Sequence, residues 1–231
     1  MVEDTFYKKI PEGETKETGR KVDVEVKKFI SRGSWGSASE ALIDMGGKSG
    51  DFVVKDYGSE EGAVRALKNY LVAKEAGLKV FTTFRINKDK KVVLMTTGHT
   101  EEWVCLGSNQ EGRAGDLKFF DLPKLNSITN FDQFLEDYFE QAEIAARNNI
   151  YIHGDVPFFM VERKKDDAIL DFVLGDYDNL TLKVNVEMLL DENRRGLLSP
   201  LIIFLAHNIK DSLRASEYIT KAEEFVYDQN K

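Results

Sequence analysis

The sequence has little of three features that would point to particular classes of protein. It has a single cysteine, Cys105, so an internal disulfide is impossible and the chain suits a reducing compartment. Its longest apolar stretch, Leu197–Ala206, is interrupted by Ser199 and Pro200 and falls short of the ~20 residues that a membrane span needs. Only four prolines occur, and there is no low-complexity tract or repeat. A folded globular protein without a membrane span is therefore predicted.

Positive charge is also in the minority. Lys and Arg number 32 against 40 Asp and Glu in 231 residues, which gives a formal net charge of −8. Because such a chain is a poor match for the phosphate backbone of nucleic acids, no nucleic-acid partner is expected. The acidic balance is no bar to binding ATP, whose phosphates are held locally by a metal ion, a lysine and backbone amides. The first residues carry no apolar run, so no signal peptide is expected.

The first part of the chain has the periodicity of strands. Residues 1–21 are polar and glycine-bearing, and are predicted to be a flexible leader. Val22, Val24 and Val26 then alternate with charged residues, which is typical of a half-buried strand. Further strands are predicted at 40–43, 51–57, 80–86 and 91–96, and an amphipathic helix at 60–76. An antiparallel sheet with one helix is therefore expected over residues 22–98.

The rest of the chain is predicted to be mostly helical. Apolar residues at helical spacing follow Asn130, a suitable N-cap, and continue down to Asn148-Asn149; they predict a long helix over 130–149 whose aromatic stripe packs in the core. Residues 150–178 are predicted as strand, loop and strand, 189–227 as two or three helices, and Trp103–Pro123 as an insertion or surface loop. The predicted fold is α+β and bilobal, with an antiparallel β lobe at 22–98 and a reduced, mostly helical lobe at 99–231.

Two motifs in the first lobe have the composition of a phosphate site. Between two strands, the segment 31–38 (Ser-Arg-Gly-Ser-Trp-Gly-Ser-Ala) has glycines that let backbone amides approach an oligophosphate, and Trp35 could cover it from water. Lys55 ends an apolar strand and could pair with phosphate oxygens. Taken singly, the first motif is more typical of an ordinary hairpin turn, and Lys55 is more typical of a strand lysine that points to solvent.

Two further motifs lie in the second lobe. Asp155, in the tight loop His153-Gly154-Asp155, is placed to accept the proton of a substrate hydroxyl, while His153 braces the loop. Asp176 and Asp178 follow an apolar strand, and paired carboxylates are a natural magnesium site because hard cations prefer oxygen ligands.

Taken in their order along the chain, these motifs resemble those of the protein-kinase-like superfamily. The segment 31–38 resembles the glycine-rich loop, with serine in place of the first glycine, and Lys55 resembles the phosphate-binding strand lysine. Residues 93–98 are similar to the hinge strand. The loop at 153–155 is similar to the catalytic loop in the His-Gly-Asp form of aminoglycoside and choline kinases, and Asp176-Tyr177-Asp178 resembles the metal-binding Asp-Phe-Gly motif.

The resemblance implies an ATP- and Mg²⁺-dependent phosphotransferase, in which Asp155 and Lys55 are catalytic and Asp176 and Asp178 bind the metal. Its nucleotide-binding residues would be Ser31, Gly33, Ser34, Trp35, Gly36, Ser37, Lys55, Met95 (at the gatekeeper position) and Thr97. A short C-terminal lobe resembles the minimal kinases that bacterial secretion systems deliver. The resemblance therefore implies a protein kinase acting on serine or threonine of a protein substrate, in the cytoplasm or in the cytosol of a host.

Two positions depart from the family pattern. The asparagine expected five residues after the catalytic aspartate is Met160, a poor ligand for Mg²⁺. No glutamate stands where one should pair with Lys55, and Glu61 is the nearest candidate. These departures leave open a pseudokinase that acts as a binding scaffold, and the His-Gly-Asp form leaves open a small-molecule kinase. The sequence does not indicate an oligomeric state.

Overall fold

The computed structural model describes residues 3–7, 17–32, 36–44, 49–86, 92–96, 103–107, 124–162, 167–176, 180–182 and 188–228. Within these ranges, the strands are mostly antiparallel and are grouped apart from the four helices, which confirms the α+β class. The chain divides into two compact units. Unit 1 comprises Met1–Leu71 and Phe81–Thr97, and unit 2 comprises Val72–Val80 and Gly98–Lys231.

Unit 1 is built on antiparallel strands. They are β1 (Glu3–Tyr7), β2 (Glu17–Arg32), β3 (Ser37–Asp44), β4 (Ser49–Asp56), β5 (Thr83–Ile86) and β6 (Val92–Thr96). They close into a barrel in the order β1-β2-β3-β4-β6-β5. Helix α1 (Glu60–Glu75) starts in this unit, where Ala63 and Ala66 form a buried cluster with Tyr57. The predicted strands after residue 40 and the predicted helix at 60–76 are confirmed, with small shifts at their ends.

Two expectations for unit 1 are wrong. The predicted flexible leader at 1–21 contains β1 and the start of β2, because Asp4 pairs with Val22 and Phe6 pairs with Ile86 in backbone ladders that a polar composition does not reveal. Val26 was expected on a half-buried face, yet it is 58% exposed. Val26 still pairs in register with Ala41 of β3, and the ladder becomes irregular only after it, between Val26 and Phe29.

Unit 2 contains the remaining strands and three helices. The strands are β7 (Trp103–Gly107), β8 (Ser127–Ile128), β9 (Ile150–Ile152), β10 (Pro157–Glu162), β11 (Asp167–Ala168), β12 (Leu170–Leu174) and β13 (Leu180–Leu182). The helices are α2 (Phe131–Arg147), α3 (Leu189–Asn208) and α4 (Ser212–Asp228). They confirm the predicted helices at 130–149 and 189–227.

Among the residues that the structure describes, the strands of unit 2 form one three-stranded sheet and two strand pairs. The sheet has the antiparallel order β12-β10-β7, β13 pairs antiparallel with β9, and β11 pairs parallel with β8. The prediction of a surface loop from Trp103 is wrong over β7. Val104 is buried opposite Val161 of β10, and five residues of strand are too few to show their periodicity in the sequence.

Aromatic side chains form the core of unit 2, as the stripe in α2 predicted. Phe134 and Tyr138 of α2 pack against Phe159 of β10 and Phe172 of β12, with ring centroids 5.0 to 6.3 Å apart. The hydroxyl of Tyr138 donates a 2.9 Å hydrogen bond to the carbonyl oxygen of Leu197. Burial raises the pKa of Tyr138 well above its ordinary value of 10.0. None of the helices in the described ranges is long and apolar enough to cross a membrane.

Asn130 precedes α2, but its side chain does not cap the helix. Its amide nitrogen Nδ2 donates to the carbonyl oxygen of Leu170, and its oxygen Oδ1 accepts from the Leu170 amide, both at 2.9 Å. The side chain of Asn130 therefore takes the place of a partner strand along part of β12.

Candidate functional site

The loop between β9 and β10 carries two of the predicted site residues. Nδ1 of His153 lies 2.9 Å from Oδ1 of Asp155, so the histidine contacts the aspartate as a bracing residue would. The side chain of Asp155 is 25% exposed, and that of His153 is 58% exposed. The carboxyl group of Asp155 is thus partly open to solvent and partly held by its neighbour.

A backbone hydrogen bond joins this loop to the segment that carries Asp176. The amide of Gly175 donates to the carbonyl oxygen of Val156 at 2.8 Å, and these two residues are the immediate neighbours of Asp176 and Asp155. Consecutive Cα atoms are about 3.8 Å apart, so the Cα atoms of the two aspartates lie within about 15 Å of each other. The structure therefore brings these two predicted site residues into the same part of unit 2.

The backbone of Asp176 has a conformation that side chains rarely adopt. Its φ is +48°, and among the non-glycine residues that the structure describes only Asn149 shares a positive φ. Aspartate tolerates this left-handed region better than most residues because its short side chain can hydrogen-bond locally. Such strain persists where the surrounding structure imposes it, and it is concentrated at functional positions.

Asn193 of α3 holds the strand that leads into the loop. Its Oδ1 accepts a 2.8 Å hydrogen bond from the amide of Ile152, and its Nδ2 donates at 2.9 Å to the carbonyl oxygen of Ile150. A longer bond of 3.5 Å reaches the carbonyl of Ala142. The side chain is fully buried. Sequence reasoning missed this residue, because an asparagine within a helix gives no signal that its amide is buried.

Helix α3 approaches the loop closely at a second point. A Cβ atom on Gly196 would lie 2.4 Å from the carbonyl oxygen of Ile152, which real side chains do not tolerate. A Cβ on Gly154 would lie 3.4 Å from the carbonyl oxygen of Gly196 and 3.8 Å from the ring of Pro200. Pro200 lacks the amide hydrogen that would bond the Gly196 carbonyl in a regular helix, so this carbonyl faces the loop without its usual helical donor. Glycine is therefore required at 196.

One predicted magnesium ligand lies within the described residues. Asp176 offers the hard oxygen ligands that Mg²⁺ prefers, whereas Asp178 lies outside the described residues. Across those residues, no group of three or more His, Cys, Asp or Glu side chains could hold a metal ion. Met160 lies within β10, opposite Asp171 and Cys105 in the sheet, and its thioether is a poor ligand for a hard cation.

In unit 1, Lys55 lies on β4 between two strands. It pairs with Ala38 of β3 and Val93 of β6, and its Nζ is 5.1 Å from the centroid of the Tyr57 ring. This separation is typical of a cation–π contact. Glu61, the predicted partner of Lys55, has an exposed side chain on α1.

The predicted nucleotide-binding residues of unit 1 are described in part. Ser31 is at the end of β2, Ser37 starts β3, and Met95 lies on β6 opposite Val53. A Cβ atom on Gly36 would lie 2.0 Å from the carbonyl oxygen of Asp56, so a close backbone approach within the barrel already requires this glycine. The other predicted residues, Gly33, Ser34, Trp35 and Thr97, lie outside the described residues.

No protein-family model matches this sequence, and no curated protein matches it. The functional assignment therefore rests on the motifs and on the geometry within each unit.

Proposed function

We propose that this protein is an ATP- and Mg²⁺-dependent protein kinase of bilobal fold with a reduced C-terminal lobe. It would transfer the γ-phosphate to a serine or threonine hydroxyl of a protein. The observation that carries the proposal is the hydrogen bond between Gly175 and Val156, which joins the segments of the proposed catalytic base Asp155 and metal ligand Asp176. This bond extends the antiparallel pair of β10 and β12 and keeps the two motifs near each other, as a shared site needs.

The residues of the proposed site have the chemistry for these roles. Asp155 would orient the acceptor hydroxyl and take its proton, with His153 holding the carboxyl group in position. Lys55 would bind the α- and β-phosphates, and Asp176 would hold the metal together with Asp178. When bound, Mg²⁺ supplies positive charge against the phosphate oxygens. Positioning and charge neutralisation account for most of the rate gain in this class of reaction.

The remaining nucleotide contacts would come from the segment between β2 and β3 and from β6. The proposed residues are Ser31, Gly33, Ser34, Trp35, Gly36, Ser37, Met95 and Thr97. The substrate would be a protein in the cytoplasm, or a host protein if the kinase is delivered into a host cell.

Met160 favours a second candidate, a nucleotide-binding scaffold without transferase activity. Residues 157–160 are Pro, Phe, Phe and Met at the start of β10, so these positions offer no side-chain oxygen ligand for a second metal ion. In this alternative, the fold would bind ATP and present a surface to a partner protein.

An assay with radiolabelled ATP tests the proposal. The full chain is incubated with γ-labelled ATP, Mg²⁺ and either a cell lysate or a panel of amino alcohols and aminoglycosides, and products are mapped by mass spectrometry. Phosphoserine or phosphothreonine that is lost in Asp155→Ala supports the proposal. Labelling of small molecules alone overturns it in favour of a small-molecule kinase.

Thermal unfolding separates the scaffold from both enzymes. ATP with Mg²⁺ at ~100 times its dissociation constant should stabilise a nucleotide-binding chain by about 2.7 kcal/mol. Stabilisation without any labelled product favours the scaffold, and the absence of both overturns nucleotide binding itself.

A further inference from the structure

A groove opens along the outer edge of β12 in unit 2. It encloses about 270 Å³, and its lining includes Lys79, Trp103, Phe134, Asp137, Asp171 and Phe172. None of these residues belongs to the proposed nucleotide site, so an inference about the groove does not depend on the kinase proposal.

The backbone of β12 is only partly paired along this edge. Leu170 is bonded by the side chain of Asn130, and the amide of Leu174 donates to the carbonyl oxygen of Lys79 at 2.8 Å. Between them lies Phe172, whose amide and carbonyl point away from β10, because backbone groups alternate in an antiparallel ladder. Its amide donates to Oδ1 of Asp171 at 2.8 Å. No donor in the described part of the chain contacts its carbonyl oxygen, which leaves an acceptor at the groove.

The β12 side of the groove, which we call its wall, already holds a cation. Nζ of Lys79 lies 2.5 Å from Oδ1 of Asp171 and 4.8 Å from the centroid of the Phe172 ring. The carboxylate and the aromatic face together therefore suit a positive group. The Lys79 side chain is 46% exposed, so its ammonium group can leave the wall for water at little cost.

A second carboxylate and a second aromatic ring border the groove. Asp137 is an exposed residue of α2 that accepts a 2.9 Å hydrogen bond from Gln133, and Trp103 belongs to β7. With Asp171 already balanced by Lys79, Asp137 leaves the lining with a net negative charge. The lining offers more hydrogen-bond acceptors, from carboxylate oxygens and a backbone carbonyl, than donors. A ligand with many hydrogen-bond donors would therefore fit the groove.

We propose that this groove binds an arginine side chain of a protein partner. A guanidinium group is planar, so it can stack on Trp103 or Phe172 while its five N–H donors reach Asp137, Asp171 and the Phe172 carbonyl. It is also more weakly hydrated than an ammonium group, which favours it over lysine in a partly enclosed groove. Lys79 occupies the wall in the absence of the partner and competes with the arginine for Asp171.

The fluorescence of Trp103 can report this binding. The chain has two tryptophans, so Trp35→Phe leaves Trp103 as the single indole. This full-length variant is titrated with N-acetyl-arginine methylamide, and separately with the citrulline analogue, which is nearly isosteric but uncharged. We expect saturable quenching or a spectral shift with the arginine compound, and none with citrulline. An equal response to both compounds, or no response to either, would overturn the proposal.

Substitutions in the groove and beside it test whether the arginine compound binds there. Asp137→Asn should weaken binding of the arginine compound about tenfold, because a charge-assisted hydrogen bond is lost. Glu136→Gln removes the same charge from the next residue of α2, which is exposed and not part of the lining, and should leave affinity within about twofold. Lys79→Met should strengthen binding by releasing Asp171. Equal losses in both acidic variants, or weaker binding in Lys79→Met, would show that the groove is not the site.

Discussion

The amide of Gly175 donates a hydrogen bond to the carbonyl oxygen of Val156, and this bond ties together the segments that carry Asp155 and Asp176. Both partners are backbone groups. Substitution of either aspartate side chain therefore leaves this hydrogen bond in place, so the two carboxyl groups can be tested without separating their segments.

We expect Asp155→Ala to lower phosphoryl transfer by about 10²- to 10⁴-fold, the range typical of a lost general base. Nucleotide binding, measured by thermal unfolding with ATP and Mg²⁺, should stay close to that of the wild type. Glu224→Gln, an exposed acidic position on α4, is the control and should retain full activity. Activity within tenfold of wild type in Asp155→Ala would contradict the assigned role.

Two substitutions at Asp176 separate its charge from its backbone conformation. Asp176→Asn should fold as stably as wild type, because asparagine also tolerates the left-handed φ of +48°, yet it should lose Mg²⁺-dependent activity. Asp176→Ala should lose the same activity and, in addition, about 1 kcal/mol of unfolding free energy. Urea unfolding and the kinase assay measure the two effects. An active Asp176→Asn variant would show that the carboxylate serves the turn and not the metal.

Gly196→Ala should destabilise the protein by about 1–3 kcal/mol, since the new Cβ atom would meet the carbonyl oxygen of Ile152 at 2.4 Å. In an unobstructed helix, the same change would stabilise by about 1 kcal/mol, so the sign of the effect is diagnostic. Ser199→Ala, at an exposed position of the same helix, should change the unfolding free energy by less than about 0.5 kcal/mol. A gain in stability from Gly196→Ala would refute the close contact.

Tyr138→Phe should cost about 1 kcal/mol at neutral pH through loss of the hydrogen bond to Leu197. Above about pH 10 the difference should shrink. Burial raises the pKa of Tyr138 in the folded state, so the unfolded state releases the phenolic proton first and binds fewer protons. The unfolding free energy of the wild type therefore falls as pH rises past 10, and the phenylalanine variant lacks this contribution.

Urea titrations at neutral pH and across the alkaline range test this prediction. Tyr227→Phe, an exposed tyrosine on α4, should follow the wild type throughout. A constant difference between wild type and Tyr138→Phe at every pH would contradict the linkage.

The elements that the sequence predicted well are those with a long or repeated pattern. Helix α2 was expected over 130–149 and runs over Phe131–Arg147, because its apolar stripe continues through several turns and packs on β10 and β12. Strand β7 has five residues, too few for a period to stand out, and β1 is held by ladders to β2 and β5. These short strands depend on partners that are distant in the sequence.

The same distinction applies to the candidate site. His153 and Asp155 are two positions apart in a recognisable motif, and their contact could be anticipated. Asn193 and Gly196 could not, because nothing local distinguishes a buried helical asparagine or a contact glycine from exposed ones. Their roles follow from the approach of α3 to β9, which is a tertiary relationship.

Pro200 has a consequence for how this region can change. It removes the helical donor for the carbonyl of Gly196, and the same carbonyl oxygen packs against Gly154 in the loop before Asp155. Replacing Pro200 by a strong helix former would return an amide donor to that carbonyl. A substitution meant to strengthen this turn of α3 would therefore also change the oxygen atom that packs against the loop.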